Sequence, residues 1–220
     1  MKLFLDTADY KKIVQYASMG LIDGVTINPT LLQAQNEAPM KIVHEIIRDL
    51  PDAEINLQVT EQEPAQVYRQ AHDIIRLSEN MVVKIPCHAS YLPVIAQLHE
   101  DGIPVNATLV FSLSQALEMA KLGVAYISIF VGRLDDNGID GLEVAATVQE
   151  MLDRYGFESE LLIASVRSKA HTEGAVVIGA DAITLPPDIF KELVEHPLSE
   201  AGLKKFADDW QNGPHGSLLE

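Results

Sequence analysis

Short apolar runs alternate along the chain with longer stretches in which apolar residues recur at helical spacing. Short, nearly continuous apolar runs are typical of strands buried on both faces, and a helical apolar stripe is typical of a helix that covers a sheet. The pattern predicts eight strands, at Leu3–Asp6, Val25–Asn28, Ile55–Val59, Met81–Pro86, Val105–Val110, Tyr126–Val131, Leu161–Ser165 and Ala182–Leu185. It predicts helices at about 8–18, 39–49, 64–78, 89–100, 113–121, 141–154, 168–178 and 187–195.

Strict alternation of strands and helices predicts the α/β class with a parallel sheet. Eight units also close a (β/α)8 TIM barrel, so we expect a single-domain barrel over residues 1–220, with an open doubly wound sheet as the alternative. The barrel is favoured because polar residues follow the carboxyl ends of the strands, where such barrels carry their active sites. These residues are Asp6, Asn28, Gln58, Lys84, Asn106, Thr108, Arg133, Ser165 and Arg167.

The segment 199–210 is helical by pattern but has no strand after it. Leu203, Phe206 and Trp210 form an apolar stripe along it. We therefore expect an extra C-terminal helix that packs on the barrel or on a neighbouring subunit. Residues 212–216 are expected to be a loose end.

The composition disfavours several classes of function. With 16 basic and 32 acidic residues, the formal charge of −16 disfavours binding to nucleic acid or to an anionic membrane. No apolar run is long enough for a membrane span, and the N-terminal apolar stretch is too short for a signal peptide. Cys87 is the single cysteine, which fits a reducing compartment, so we expect a cytoplasmic protein.

Lys84 stands inside the apolar run Met81–Pro86. An ammonium group is costly to remove from water unless it is paired or loses its proton, so a buried lysine has a lowered pKa. Its free amine can then attack a carbonyl group and form a Schiff base. The alternative is a lysine whose stem packs inside while its head reaches water.

Other kinds of chemistry lack their sequence signals. The seven histidines form no spaced set with acidic or cysteine neighbours that would bind a metal, and we expect neither a metal nor a cofactor. Three candidate residues have ordinary structural alternatives. Asp6 fits a helix N-cap, Asn28 before Pro29 fits a turn, and Arg133 fits a surface ion pair with Asp135 or Asp136.

Six ordered blocks resemble the small transaldolase family, which includes the fructose-6-phosphate aldolases. The blocks are Leu5-Asp6-Thr7-Ala8, Gly24-Val25-Thr26-Ile27-Asn28-Pro29-Thr30, Val83-Lys84-Ile85-Pro86, Asn106-Ala107-Thr108-Leu109-Val110-Phe111-Ser112, Phe130-Val131-Gly132-Arg133-Leu134-Asp135 and Ala164-Ser165-Val166-Arg167. The resemblance runs from the first strand to Trp210. It implies a (β/α)8 barrel, Schiff-base aldolase chemistry without metal, a role in the pentose phosphate pathway, and a homo-oligomer, either a pentamer or a decamer.

The resemblance also implies a role for each matching residue. Lys84 matches the Schiff-base lysine, and Asp6 matches the acid–base group that handles the proton of the C4 hydroxyl. Thr108 and Gln58 match the pair that holds a catalytic water. Residues matching those that hold the dihydroxyacetone hydroxyls are Asn28, Asn106 and Ser128, and those matching the phosphate-binding set are Arg133, Ser165 and Arg167.

Four features separate the branches of the family, and three of them resemble the transaldolases. Gln58 resembles the aldolase branch, whereas Phe130 resembles the transaldolases, because the aldolase branch has a tyrosine there. The Asn106–Thr108 block and Ser128 also resemble transaldolases, so we expect a transaldolase acting on sugar phosphates. The alternatives are a fructose-6-phosphate aldolase that releases dihydroxyacetone, and a non-catalytic barrel that binds sugar phosphates.

Overall fold

The eight strands form a closed parallel barrel in which each strand pairs with the next along the chain and β8 pairs with β1. The computed structural model describes residues 1–213 and 216, so positions 214 and 215 of the expected loose end lie outside the described residues. The strands are β1 Lys2–Asp6, β2 Gly24–Ile27, β3 Glu54–Gln58, β4 Met81–Pro86, β5 Val105–Val110, β6 Tyr126–Phe130, β7 Glu160–Ala164 and β8 Ala182–Leu185. The prediction of a (β/α)8 barrel is confirmed, and the open sheet is wrong.

The predicted helices between the strands are also present, with bounds that differ by a few residues. Within the described residues the α-helices are α1 Tyr10–Ala17, α2 Pro29–Gln33, α3 Pro39–Asp49, α4 Pro64–Ile75, α5 Leu92–Glu100, α6 Leu113–Lys121, α7 Val131–Asp135, α8 Gly141–Tyr155, α9 Lys169–Ile178, α10 Pro187–Glu192 and α11 Pro197–Gln211. A 3₁₀ turn at Ala89–Tyr91 precedes α5. None of the described helices is long and apolar enough to cross a membrane.

Four predicted strands, those corresponding to β2, β3, β6 and β7, end one residue early, and at three of them a different local structure takes over. Asn28 is the N-cap of α2, and its side-chain oxygen accepts a hydrogen bond from Leu31 N–H at 3.0 Å. Val131 begins α7. Ser165 has a φ of +58°, which lies outside the range of regular strand backbone. The short helices α2 and α7 went unpredicted because five residues are too few for an apolar period.

An apolar cluster marks the inside of the barrel. It joins side chains of β1, β6, β7 and β8 with one side chain of β4, a strand that pairs with none of those four and can meet them only across the interior. The residues are Phe4, Val82, Tyr126, Leu162, Ala164 and Ala182. Side chains alternate along a strand, so Lys84 points the same way as Val82, and Asp6 the same way as Phe4. Lys84 and Asp6 therefore face the barrel interior, on the carboxyl-terminal side of this cluster.

The chain divides into two compact units, Met1–Phe190 and Lys191–Glu220. The barrel belongs to the first. The second contains α11, which confirms the predicted C-terminal helix and carries exposed apolar side chains at Leu203, Phe206 and Trp210. The grouping of residues 1–220 into a single domain stays a prediction.

Candidate active site

Four predicted catalytic residues lie at or near the carboxyl ends of the first, third, fourth and fifth strands. Gln58 is in register with Lys84, and Lys84 with Asn106, so β3, β4 and β5 bring these positions to one level. β5 is irregular between Ala107 and Val110, and Leu109 has a φ of +58°. Asp6 ends β1 on the same inward face.

Lys84 is 3% exposed, and its burial lowers the pKa of the ammonium group below the usual value. The negative charge of Asp6 opposes this shift, whereas the positive charge of Arg133 adds to it. In the described part of the chain, no carboxylate forms a salt bridge with its Nζ atom, which lies 5.9 Å from the centre of the Phe130 ring. The alternative of a lysine with a solvated head is wrong. The lowered pKa increases the share of neutral amine at a given pH, and a neutral amine is a nucleophile.

Asp6 is held by a short row of hydroxyl groups and does not cap a helix. Thr26 Oγ1 donates to Asp6 Oδ1 at 2.9 Å, and Thr184 Oγ1 lies 2.6 Å from Thr26 Oγ1. Asp9 caps α1 instead, through hydrogen bonds from the N–H groups of Lys11 and Lys12. The N-cap alternative for Asp6 is therefore wrong, and its second carboxylate oxygen remains available for proton transfer.

Thr108 and Gln58, the predicted water-holding pair, have different surroundings. Thr108 is fully buried, and its hydroxyl has no hydrogen-bond partner among the described residues. A buried hydroxyl without a partner is costly, so this group is suited to a ligand or a water. Gln58 also borders a cavity of about 530 Å³ between β3 and helices α2 to α4. No hydrogen bond joins the two side chains within residues 1–213.

Asn106 and Ser128 are joined, whereas Asn28 stands apart from them. Ser128 Oγ donates to Asn106 Oδ1 at 2.6 Å, and both side chains are fully buried. Asn106 Nδ2 in turn donates to Asn56 Oδ1 at 2.8 Å. Asn28 uses its side-chain oxygen to cap α2, which leaves its amide N–H groups for a ligand.

The Phe130 ring lies close to both Lys84 and Arg133. The Arg133 guanidinium carbon lies 5.1 Å from the centre of the ring, a cation–π distance, and Phe111 meets the ring edge-on at 5.8 Å. The expected alternative of an Arg133 ion pair with Asp135 or Asp136 is wrong. Asp135 instead pairs with His171 at 2.8 Å.

The three predicted phosphate-binding residues lie where α7 approaches the loop after β7. A Cβ atom at Gly132 would lie 2.2 Å from the carbonyl oxygen of Ser165, so only glycine permits this approach. Arg133 is the next residue of α7, and Arg167 contacts Gly132 through its side chain. Arg167 Nη1 and Nη2 meet the two oxygens of Asp136 at 2.7 and 2.6 Å.

Thr26, Asn56 and Asp136 were missed by the sequence reasoning, although each contacts a predicted site residue. Thr26 and Asn56 are polar residues within apolar strands, which is the signal that identified Lys84. They went unnoticed because an isolated threonine or asparagine is less costly to bury than a charge. The sequence around Asp136 contains no pattern that predicts its contact with Arg167. No group of three or more His, Cys, Asp and Glu side chains in the described chain could hold a metal ion.

The comparisons with known proteins all point to the same family. A profile described as Transaldolase/Fructose-6-phosphate aldolase matches residues 3–213. The chain is similar to a probable transaldolase of Caulobacter vibrioides, with 41% identity over 96% of each chain. It is similar to one of Geobacter sulfurreducens, with 39% identity over 97% of this chain and all of the relative. A probable transaldolase of Lactiplantibacillus plantarum is 41% identical over 96% of this chain and 97% of its own.

Proposed function

Because the chain belongs to the transaldolase/fructose-6-phosphate aldolase family, we propose that it transfers a dihydroxyacetone unit between sugar phosphates through a Schiff base on Lys84. The family predicted from the residues is confirmed, and so is an enzyme of the transaldolase or aldolase type. The donor is a ketose phosphate such as fructose 6-phosphate or sedoheptulose 7-phosphate, and the acceptor is an aldose phosphate.

The neutral amine of Lys84 attacks the C2 ketone of the donor, and loss of water gives an iminium ion. Asp6 takes the proton of the C4 hydroxyl, the electrons of the C3–C4 bond move into the iminium, and an aldose phosphate leaves. The enamine that remains on Lys84 adds to the aldehyde of the acceptor, whose oxygen takes the proton back from Asp6. Hydrolysis of the new iminium restores the amine and releases the new ketose phosphate.

The polar groups around Lys84 serve the three-carbon unit and the water. Asn28, Asn106 and Ser128 hold its hydroxyl groups. Thr108, whose hydroxyl is buried without a partner, holds the water that enters and leaves at C2, with Gln58 beside it. Gln58 cannot ionise, so it orients the water and does not act as its base.

The phosphate groups bind at Arg133, Ser165 and Arg167. Forked guanidinium donors match phosphate oxygens, and local positive charge opposes the repulsion from a chain with a net charge of −16. The tight packing of Gly132 on Ser165 supports this assignment because it brings the loop after β7 against α7.

The single observation that carries the proposal is the burial of Lys84, 3% exposed and with a lowered pKa, beside the charge of Asp6. Borohydride reduction in the presence of fructose 6-phosphate should attach a three-carbon unit to Lys84, which peptide mass spectrometry would locate. Lys84→Arg is the matched control because it keeps the charge and removes the nucleophile. Equal labelling of the control would overturn the assignment, and absence of labelling would favour the non-catalytic alternative.

A second candidate is a fructose-6-phosphate aldolase, which Gln58 favours because the aldolase branch has glutamine there. Phe130 favours transfer, since it lacks a hydroxyl that would orient a proton donor toward the enamine. The two candidates differ in one assay. Turnover of fructose 6-phosphate that requires erythrose 4-phosphate marks a transaldolase, and free dihydroxyacetone formed without an acceptor marks an aldolase.

The proposal includes a homo-oligomer, a pentamer or a decamer, in the cytoplasm. The exposed stripe of α11 supports assembly, because Leu203, Phe206 and Trp210 are 67%, 72% and 48% exposed. A second copy of this chain is the proposed cover. The single cysteine supports a reducing location. Native mass spectrometry with Phe206→Glu tests the assembly: a smaller complex is expected, and an unchanged mass would contradict the role of this stripe.

A further inference from the structure

A hydrogen-bonded row of side chains connects the proposed active site with the opposite end of the barrel. It begins at Ser128 and passes through Asn106 and Asn56, with contacts of 2.6 and 2.8 Å. Asn56 Nδ2 then donates to Glu54 Oε1 at 2.7 Å. Ser128, Asn106 and Asn56 are fully buried, so no water competes for these bonds along the row.

Glu54 anchors the row where the strands begin. It is the first residue of β3, and its second oxygen accepts a hydrogen bond from the Tyr126 hydroxyl at 2.8 Å. Burial and the charge of Glu54 raise the pKa of Tyr126, so this hydroxyl stays protonated and donates. Lys2 Nζ lies 2.5 Å from the Tyr126 oxygen and 2.9 Å from Glu160 Oε2.

The carboxylate gives the row a direction. An ionised carboxylate only accepts hydrogen bonds, so Asn56 must turn its amide nitrogen toward Glu54 and its oxygen toward Asn106. Asn106 must then present its nitrogen to Asn56 and its oxygen to Ser128. Ser128 must donate its one hydroxyl hydrogen to Asn106. Each orientation follows from the previous one, and all of them follow from Glu54.

We propose that Glu54 and Asn56 are positioning residues that fix the amide orientation of Asn106 and the donor direction of Ser128 in the active site. Asn106 then offers its second amide hydrogen to a ligand, and Ser128 offers only lone pairs. A hydroxyl group satisfies both, because it accepts from Asn106 and donates to Ser128. The inference rests on the proposed function, in which these two residues hold the hydroxyls of the dihydroxyacetone unit.

Asn56→Leu tests the proposal, because leucine has nearly the shape of asparagine but makes no hydrogen bond. Loss of the fixed orientation should lower kcat/KM for fructose 6-phosphate by about tenfold or more. The inhibition constant of inorganic phosphate should stay unchanged, since the phosphate residues are not touched by the row. Glu160→Gln is the matched control: it removes a carboxylate from the same end of the barrel but leaves the contact between Asn56 and Glu54 intact, and wild-type kcat/KM is expected.

The pH dependence of kcat/KM in Asn56→Asp gives a further test, because it would not change if Asn56 only stabilised the fold. At low pH the new carboxyl keeps a proton, donates it to Glu54 and still accepts from Asn106, so the row keeps its direction. As pH rises, the two carboxyls lose their shared proton and repel each other. We expect kcat/KM to show an added downward step with rising pH. Glu54→Gln combined with Asn56→Asp should remove that step, because the new amide donates to the new carboxylate.

The outcomes separate the inference from the proposed function. If Ser128→Ala lowers kcat/KM for the donor but Asn56→Leu leaves it at the wild-type value, the role of Glu54 and Asn56 is wrong and the proposed site stands. A pH profile of Asn56→Asp that parallels wild type would also overturn the inference. If Ser128→Ala and Asn106→Leu both leave kcat/KM unchanged, these two residues do not hold the donor, and the proposed site is wrong.

Discussion

Arg167 and Asp136 form a two-point ion pair across the top of the proposed active site, with nitrogen–oxygen distances of 2.7 and 2.6 Å. Both side chains are half-exposed, and the pair occupies the two terminal nitrogens that a phosphate would use. A phosphorylated substrate must therefore replace Asp136 on Arg167 or share the guanidinium with it.

Asp136→Asn should strengthen phosphate binding, because it removes a competing negative charge from the proposed site. Exposed ion pairs contribute up to about 1 kcal/mol, so we expect the inhibition constant of inorganic phosphate to fall by about two- to fivefold. Glu150→Gln is the control, since it makes the same charge change at an exposed side chain of α8 that pairs with Arg154 instead of Arg167. Weaker binding by Asp136→Asn would mean that Asp136 orients Arg167 for phosphate instead of competing with it.

Lys84→Met should stabilise the protein at neutral pH, because it removes a desolvated amine whose pKa is lowered by burial. Below the lowered pKa, the free energy of unfolding of the wild type is reduced by about 1.4 kcal/mol for each unit of the shift. Between that pKa and 10.5, the unfolded chain binds more protons than the folded one, so wild-type stability rises with pH relative to the variant.

Urea unfolding at a series of pH values measures this difference. The advantage of Lys84→Met should be largest below the lowered pKa of Lys84 and should shrink as pH rises from there towards 10.5. A constant difference at every pH would contradict a lowered pKa for Lys84. The same variant should show no borohydride labelling.

Phe130→Tyr should raise the release of free dihydroxyacetone from fructose 6-phosphate without an acceptor. The ring lies 5.9 Å from Lys84 Nζ, so an added hydroxyl would bring a donor to the edge of the site, where it helps protonate the enamine. Phe111→Tyr is the control, because its ring is next to Phe130 rather than over the amine. An unchanged rate in Phe130→Tyr would contradict the idea that the missing hydroxyl favours transfer.

Thr26→Val should lower kcat, because it removes the hydroxyl that donates to Asp6 at 2.9 Å and keeps the shape of the side chain. We expect a loss of about five- to tenfold, measured with saturating fructose 6-phosphate and erythrose 4-phosphate. Thr172→Val is the matched control, since that hydroxyl on α9 is buried without a hydrogen-bond partner among the described residues. Equal losses in both variants would point to a general packing defect.

The barrel was predictable because its strands are short, largely apolar runs that are separated by helical stretches. β4, β5 and β8 have the bounds expected from the sequence, and Lys84 stood out because a charge inside such a strand is expensive. Asn28 shows where the pattern fails, since a strand end and a helix cap share the same polar residue.

The partners of the site residues were harder to predict because their contacts join distant parts of the chain. Arg167 meets Asp136 from 31 residues away, and Ser128 meets Asn106 from 22. The turn at Ser165 decides whether Arg167 faces Asp135 or Asp136. The positive φ of Ser165 has no signature in the local sequence. Pattern alone identifies the residue types at the site, and tertiary structure decides how they pair.

The contact between Gly132 and the carbonyl of Ser165 has a consequence for protein engineering. With only 2.2 Å available for a Cβ atom, position 132 cannot accept another residue without moving the loop after β7. A library aimed at donors without phosphate should therefore leave Gly132 fixed. The library should instead vary Arg133 and Arg167. Their exposed side chains can change in charge and length while the backbone beneath them keeps its shape.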